Sequence, residues 1–391
     1  MAAKQARPLN GLPALRGHEA ARRLLAEAAL RGELPGSLLL HGPAGIGKQR
    51  LGLWLGQLLL CEAPTGEEPC GACQHCRFAV RLEHPDLQWF FPLPRPKGAS
   101  GPDKLATALE EARADELAER ARTGLWITTP DEPVGLYLAQ IRTLARMAVT
   151  RPALGRRKVF LIGQAEHLVA QDASPEAANA LLKLLEEPPP DVTLVLTAAD
   201  PEDLLPTIRS RLLPIALRPL PDAEVAAFLT EVTGTPPREA ARIATLAQGS
   251  IGRALGFLPQ DGAEGPLEAI RQRARALLEA AVAPGPAPRY AAAHAASPAG
   301  ARGGFSDVLE ALAGWLRDLA SYAAGAEEHL INPDARDFLA DLARRVHDPA
   351  GTAPAAIRLV DQAVALASGN VNPQLILAWL LTGLHRTLTG H

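Results

Sequence analysis

Aromatic side chains are scarce in this chain of 391 residues, at 4% against 47% hydrophobic residues overall. Its core must therefore be largely Leu, Ala and Val, which favours helices. Net positive charge is also lacking. The formal charge is −3, so there is no global basic signature for nucleic acid, and any DNA contact must be local or shared with partners. No apolar run of about eighteen residues occurs, so no membrane span is expected. Met1 to Gly11 contains no apolar signal segment, and the expectation is a cytoplasmic protein. Cysteine is limited to four residues, Cys61, Cys70, Cys73 and Cys76. The length predicts two or three domains at about 100–200 residues each.

What is present is organised around His41-Gly42-Pro43-Ala44-Gly45-Ile46-Gly47-Lys48-Gln49. The apolar run Leu38-Leu39-Leu40 before it reads as a buried strand, and Arg50 to Leu60 after it reads as a helix. Strand, glycine loop and helix form the context a phosphate-binding loop requires. Gly42, Gly45 and Gly47 let backbone N–H groups turn around phosphate oxygens, the helix N-terminus adds partial positive charge, and Lys48 reaches the terminal phosphates. The bland alternative is an accidental Gly-rich turn. In the usual pattern a Ser or Thr hydroxyl follows the lysine and ligates Mg²⁺. Gln49 stands there instead, and an amide is a poor substitute.

Four thiolates within so short a span suit one tetrahedral Zn²⁺, with Pro69 and Gly71 supplying tight turns between ligands. His75 and His84 could substitute, but four cysteines already close the shell. A closed shell means a structural metal. The alternatives are reduced free thiols or a disulfide pair.

Further along, Gly17 to Arg31 and Gly135 to Val149 carry helical periodicity. Residues 92–134 read as a surface insertion: a loop, then an exposed Ala/Glu/Arg-rich helix from Leu105 to Arg122. Lys158 to Ile162 is a strong buried strand. In a hydrolysing phosphate-loop protein such a strand ends in Asp-Glu, which hold Mg²⁺ and polarise water. Gly163 and Gln164 occupy those places, and Glu166 is two residues late. No competent hydrolysis is inferred. Ser174 and Pro175 open a helix to Glu187, Val192 to Thr197 is a strand, Asp203 to Ile208 a short helix, and Leu213 to Leu217 the last strand. Helices follow from Asp222 to Val232, from Pro236 to Ala247 and from Gly249. Leu267–Val282, Phe305–Ala324, Arg336–Val346, Ala355–Ala367 and Pro373–Thr389 are amphipathic, with Ala283 to Gly304 a flexible loop.

The order HGPAGIGK, four cysteines, KVFLI, NALLKLLEEPP, TLVLTAAD and TIRSRL resembles the AAA+ clamp-loader family over roughly residues 10–260. The resemblance implies an α/β P-loop (RecA-like) AAA+ domain over 1–218, with a zinc module at 61–76 and the insertion at 92–134. It further implies a small helical lid over 219–262 and an all-α collar domain over 263–391, where subunits pack together. It implies structural zinc on the cysteines. Ser210-Arg211 match the family's Ser-Arg-Cys motif, with Leu212 departing from the Cys. That match implies that Arg211 is an arginine finger, acting in trans in a neighbouring subunit's ATP site; the alternative is a helix-end surface arginine making a salt bridge. Thr197 matches the sensor-one position. Arg253 stands one residue after the family's arginine place, as a weakened nucleotide contact or a solvated side chain.

The expected function is a non-hydrolysing subunit of the clamp loader of bacterial DNA polymerase III, an accessory to a DNA-directed DNA polymerase with no independent activity. Expected partners are the ATPase (gamma/tau type) and delta-type subunits, the sliding clamp, and primed DNA through the assembled complex. Lys48 and the three glycines leave ATP or ADP binding without hydrolysis open. The competing readings are an ATP-hydrolysing motor subunit of the same loader, and a zinc-dependent DNA reader. Against the latter, the cysteine span has few basic residues, chiefly Arg77 and Arg81.

Overall fold

The computed structural model describes residues 12–99, 101–123, 134–168, 176–259, 262–296, 304–367, 369 and 371–390. Met1 to Gly11, the Ser174–Pro175 helix start and Asp131 to Pro133 lie outside the described residues. By internal contacts the chain forms two compact units. One comprises Met1–Ile127, Val134–Ala240 and Gly249–Arg253, and the other is chiefly Ala241–Gln248 and Ala254–His391.

The first unit is built on strands β1 (Ser37–His41), β2 (Leu87–Phe90), β3 (Leu93–Pro94), β4 (Val134–Gly135), β5 (Lys158–Ile162), β6 (Val192–Ala198) and β7 (Leu213–Ala216). Five of them form one sheet in the order β2-β5-β6-β1-β7, parallel throughout. Its helices are α1 (Glu19–Arg31), α2 (Lys48–Leu60), α3 (Gln74–Val80), α4 (Pro102–Thr123), α5 (Leu138–Ala148), α6 (Glu176–Glu186), α7 (Pro206–Arg209) and α8 (Asp222–Phe228).

Leu38, Leu40, Val159, Leu161 and Val195 join one core cluster with Leu51, Leu55 and Leu58 of α2. Leu39, Phe160, Ile162, Leu194 and Leu196 join another with Ile141 and Leu144 of α5 and Leu181 of α6. Successive strand residues point to opposite faces, so a sheet covered on both sides needs unbroken apolar strands. That is why β1, β5 and β6 are legible in the sequence. The end of α1 is equally local: Gly32 is left-handed, and its N–H and that of Glu33 reach back to the Ala29 and Ala28 carbonyls, a glycine C-cap.

Two helices, α9 (Pro237–Ala247) and α10 (Ile251–Phe257), have residues in both units. The second unit otherwise consists of α11 (Pro266–Val282), α12 (Ala287–His294), α13 (Gly304–Ala323), α14 (Arg336–Arg345), α15 (Pro349–Ala367) and α16 (Pro373–Thr389). Leu312, Trp315, Leu316 and Leu319 form the buried stripe of α13. Beside it the buried Asp318 carboxylate accepts from the Ile331 and Asn332 N–H groups, both at 2.8 Å, and from the Asn332 amide at 2.7 Å. Asn332 Oδ1 in turn accepts from Arg271 Nε at 2.6 Å.

Three sequence expectations need correction. The stretch from Ala283 includes a helix, α12, with Pro288 in its first turn, where no backbone donor is needed. Helix α15 starts at Pro349 rather than Ala355 and accommodates Pro354 internally. The insertion helix α4 is not simply exposed. Leu109 is fully buried. Arg113 donates to Gln88 Oε1 at 3.2 Å and lies over the Phe90 ring at 4.6 Å. Arg120 stacks on Phe91 at 3.6 Å and Trp89 at 4.6 Å while pairing with Glu116 at 2.8 Å. The aromatics of edge strand β2 and its continuation thus find their cover in the flat faces of two guanidinium groups. Apolar periodicity cannot register such cover, because the covering residues are charged.

Replacing Arg120 with Ala should destabilise the fold by about 2 kcal/mol, through the lost stacking on Phe91 and Trp89. The exposed Arg122→Ala change should cost about 0.5 kcal/mol or less. Urea titration of both variants checks this.

Candidate functional site

Strand β1 ends at His41, and the chain then turns through Gly42, Gly45 and Gly47, with φ of 141°, 73° and 103°. A Cβ on Gly42 would stand 2.4 Å from the Leu217 carbonyl oxygen, so no other residue fits there. Lys48 begins α2, and its ammonium donates to the Gly42 and Pro43 carbonyls at 2.6 and 2.8 Å. The loop is wrapped around its own lysine. Burial lowers the Lys48 pKa to about 8, with the Glu166 carboxylate pulling it partly back. His18, at the start of α1, places Nε2 2.7 Å from the Ile46 carbonyl oxygen.

At the neighbouring strand ends, the Gln49 side chain fills the space beside Gly163. A Cβ at Gly163 would come within 2.9 Å of its amide atoms. The Gln49 amide therefore occupies the space a side chain at 163 would enter, and an acidic residue there would require another Gln49 rotamer. Gln164 is left-handed at φ 51°, and its N–H donates to the buried Thr197 hydroxyl at 3.0 Å. Glu166 Oε1 accepts from the Ala199 N–H at 3.3 Å. Among the described residues, Gln49 Oε1 and Glu166 Oε2 are buried without a protein hydrogen-bond partner.

The segment Gly249 to Arg253 packs on the tip of the phosphate loop. The Gly252 N–H donates to the Gly45 carbonyl at 3.1 Å. A Cβ on Gly45 would meet Ser250 Oγ at 2.4 Å and Arg253 Cγ at 3.6 Å. Arg253 thus lies beside the loop, and the backbone of its own segment occupies the loop's outer rim.

The four cysteines converge: the Sγ atoms of Cys61, Cys70, Cys73 and Cys76 all lie within 4.8 Å of one another. Backbone N–H groups of Cys70, Cys73 and Cys76 point at the sulfurs of Cys61, Cys70 and Cys73 at 3.3, 3.3 and 3.4 Å. Such N–H···S bonds stabilise thiolates. Those from Cys73 and Ala72 lower the Cys70 pKa to about 6, while burial pushes Cys76 up. The geometry suits four sulfurs around one soft cation, and His75 and His84 are engaged elsewhere. Their rings stack, with Nδ1 of His75 2.7 Å from Nε2 of His84. His84 Nδ1 accepts from the Asp86 N–H at 2.9 Å, which fixes its proton on Nε2.

Arg211 follows α7. Its Nη1 donates to the Thr207 carbonyl at 2.7 Å and lies 3.3 Å from Ser210 Oγ, and its Nη2 meets Glu186 Oε1 at 2.6 Å. The side chain is 33% exposed. Arg209 pairs with Glu202. Both arginines of the motif are thus held by carboxylates of their own chain.

A five-stranded parallel sheet with a phosphate loop after β1 and a polar residue, Thr197, near the end of β6 defines the class: a P-loop α/β protein of the AAA+ kind. Residues 17–221 match the family described as DNA polymerase III, delta subunit, and residues 275–386 match its C-terminal part. The chain belongs to that family. Similarity extends to both delta-prime and tau proteins. It is 35% identical over 185 residues to DNA polymerase III subunit delta' of Pseudomonas aeruginosa, covering 47% of this chain and 43% of that protein. It is 31% identical over 226 residues to subunit delta' of Escherichia coli, covering 58% and 55%. DNA polymerase III subunit tau of Escherichia coli is 28% identical over 267 residues, 67% of this chain and 34% of that one. The matches thus span about half or less of these relatives.

Sequence reasoning missed Glu186 as the partner of Arg211, and Gln49 as the filler beside Gly163. It also missed Glu68, which accepts from Trp54 Nε1 at 2.9 Å and pairs with Arg22. None follows from periodicity, because each joins segments distant in sequence.

Lys48 supplies a pH test. Folded Lys48 loses its proton near pH 8 and the unfolded chain near 10.5, so between these values the unfolded state binds more protons and stability rises with pH. Lys48→Met should remove that rise. Urea melts at pH 8 and 10 should show the wild type gaining roughly 1–3 kcal/mol relative to the variant.

Proposed function

We propose that this chain is a non-hydrolysing subunit of the clamp loader of DNA polymerase III, working in DNA replication in the cytoplasm. The observation that carries this is the Gln49 side chain packed against Gly163. It stands where Mg²⁺ and its acidic ligand belong in a hydrolysing relative. Phosphoryl transfer depends on charge and positioning around Mg²⁺, and hydroxyl, Asp and Glu are missing together at 49, 163 and 164. The glycines and Lys48 remain, so ATP or ADP can be held without turnover. The Gly252 contact on Gly45 works against it.

Activity is then exerted on a neighbour. Arg211 is the arginine finger, completing in trans the ATP site of a gamma/tau-type ATPase subunit. Its guanidinium neutralises charge developing on the transferred phosphoryl group. The second, all-helical unit contains the collar, residues 263–391, and residues 219–262 form the lid. Through them the chain packs with ATPase and delta-type subunits. The assembled ring opens the sliding clamp and sets it on primed DNA. Zn²⁺ on Cys61, Cys70, Cys73 and Cys76 is structural, since four thiolates leave no open position.

In the assembled loader, Arg211→Ala should lower DNA-stimulated ATPase by about 10³–10⁵-fold. Unchanged ATPase would remove the finger assignment. The purified chain alone should show no Mg²⁺-dependent ATP turnover, and turnover above background would make it a motor instead. Metal analysis should find one zinc per chain, and Cys73→Ser should lose it together with thermal stability. Retention of full zinc by that variant would count against the four-cysteine site.

A further inference from the structure

The salt bridge between Arg211 and Glu186 lies outside the reading above, although the inference drawn from it rests on Arg211 being a finger. Helix α6 stops at Glu186, because Pro188 and the two prolines after it cannot continue it and bias the preceding residue to extended backbone. A carboxylate at that helix terminus faces the partial negative charge of the last carbonyls, which is unfavourable unless a cation is close. Arg211 supplies the cation at 2.6 Å, while Thr207 O holds the other nitrogen at 2.7 Å. The guanidinium is folded back on its own chain, with its side chain only 33% exposed. A finger must reach outward to touch a neighbour's phosphate. Arg211 cannot do so and keep the Glu186 contact, since Nη2 has one place to point.

We infer that Glu186 is a positioning residue that keeps the arginine finger retracted until a phosphate displaces it. The pair is half-exposed, with Glu186 at 49%, and exposed pairs are weak. Phosphate bound to a neighbour carries more charge than one carboxylate and can accept both arms of the arginine fork, whereas Glu186 takes only Nη2. The finger therefore exchanges one oxyanion for a stronger one. When it leaves, Glu186 remains at the helix end without its cation. That penalty discourages extension while the neighbour's site is empty.

The test is steady-state Mg-ATP hydrolysis by the full assembled loader on primed DNA. Glu186→Gln keeps the size of the side chain and removes its charge. It should lower the ATP concentration for half-maximal rate by about two- to five-fold, the range an exposed ion pair supports. Glu186→Asp should return it toward the wild-type value. The double variant Glu186→Gln with Arg211→Ala should match Arg211→Ala alone, because Glu186 acts only through Arg211. An unchanged or raised KM in Glu186→Gln, with Arg211→Ala still inactive, overturns the restraint but leaves the finger. Full ATPase in Arg211→Ala overturns both.

Discussion

Everything at the candidate site hangs from the carboxyl ends of strands buried on both faces. Leu38 to Leu40, Val159 to Ile162 and Leu194 to Leu196 are essentially inaccessible to solvent, so their backbone groups pair within the sheet and their side chains fill two cores. Where the ladder stops, unpaired backbone groups and turning chain must find partners at once. The partners are local: Gly42 N–H to Ala199 O at 3.1 Å, Gly163 N–H to Phe90 O at 2.7 Å, Gln164 N–H to Thr197 Oγ1 at 3.0 Å. These bonds set where positions 48, 49, 163, 166 and 197 stand relative to one another, whatever chemistry they carry.

Given that frame, the proposed loss of hydrolytic chemistry requires only a few side-chain changes. Gln49 and Gly163 illustrate it as a pair: the amide lies where a side chain at 163 would begin, and the glycine leaves that space to it. Lys48 illustrates the electrostatic side. Its ammonium is buried, and with no acid at 163 or 164 its nearby anion is Glu166, reached through a left-handed Gln164. Loop carbonyls solvate it instead. The charge that remains at work on the proposed reading is Arg211, on the surface of the same sheet domain.

The parts of this design legible from sequence were those that repeat or cluster: apolar runs for β1, β5 and β6, the glycine spacing at 42, 45 and 47, and four cysteines in one stretch. What was not legible had one cause, side chains doing a job that their type does not advertise. Arg113 and Arg120 cover aromatics, so α4 reads as a solvated helix when scored for apolar residues. Short β2 carries its apolar side chains into two different clusters, Leu87 and Trp89 in one and Phe90 in the other, and it sits in a stretch rich in proline and charge. The stretch from Ala283 reads as loop by its composition, yet Pro288 stands in a first turn, where helices tolerate proline. Glu186 was visible as a letter of the Leu-Leu-Glu-Glu-Pro-Pro run, but its partner lies 25 residues away at the far side of a strand.

The strands on either side of Arg211 give, on the proposed reading, a reason for the phosphate-loop frame to persist without its chemistry. Arg211 stands two residues before β7, whose residues Leu213 to Ala216 pair in parallel with Leu38 to His41 of β1. Strand β1 also pairs with β6, which leads into the turn before α7. Arg211 therefore sits between two strands that share β1 as their neighbour, and β1 ends in the glycine loop. Helix α2, which leaves that loop, is braced from outside. Arg50 donates twice to the Pro13 carbonyl, at 2.9 and 2.7 Å, and Trp54 and Arg22 both hold Glu68 of the cysteine segment. A change that collapsed the loop would move β1, and β1 sets the register of the strand that carries Arg211 to its place. On the proposed reading, substitutions at 49, 163 and 164 remove metal chemistry without touching that register. The ladder holds the register, while Lys48 ties the Gly42 and Pro43 carbonyls to the start of α2, so on that reading a subunit that works through its arginine keeps the loop as the join between β1 and α2.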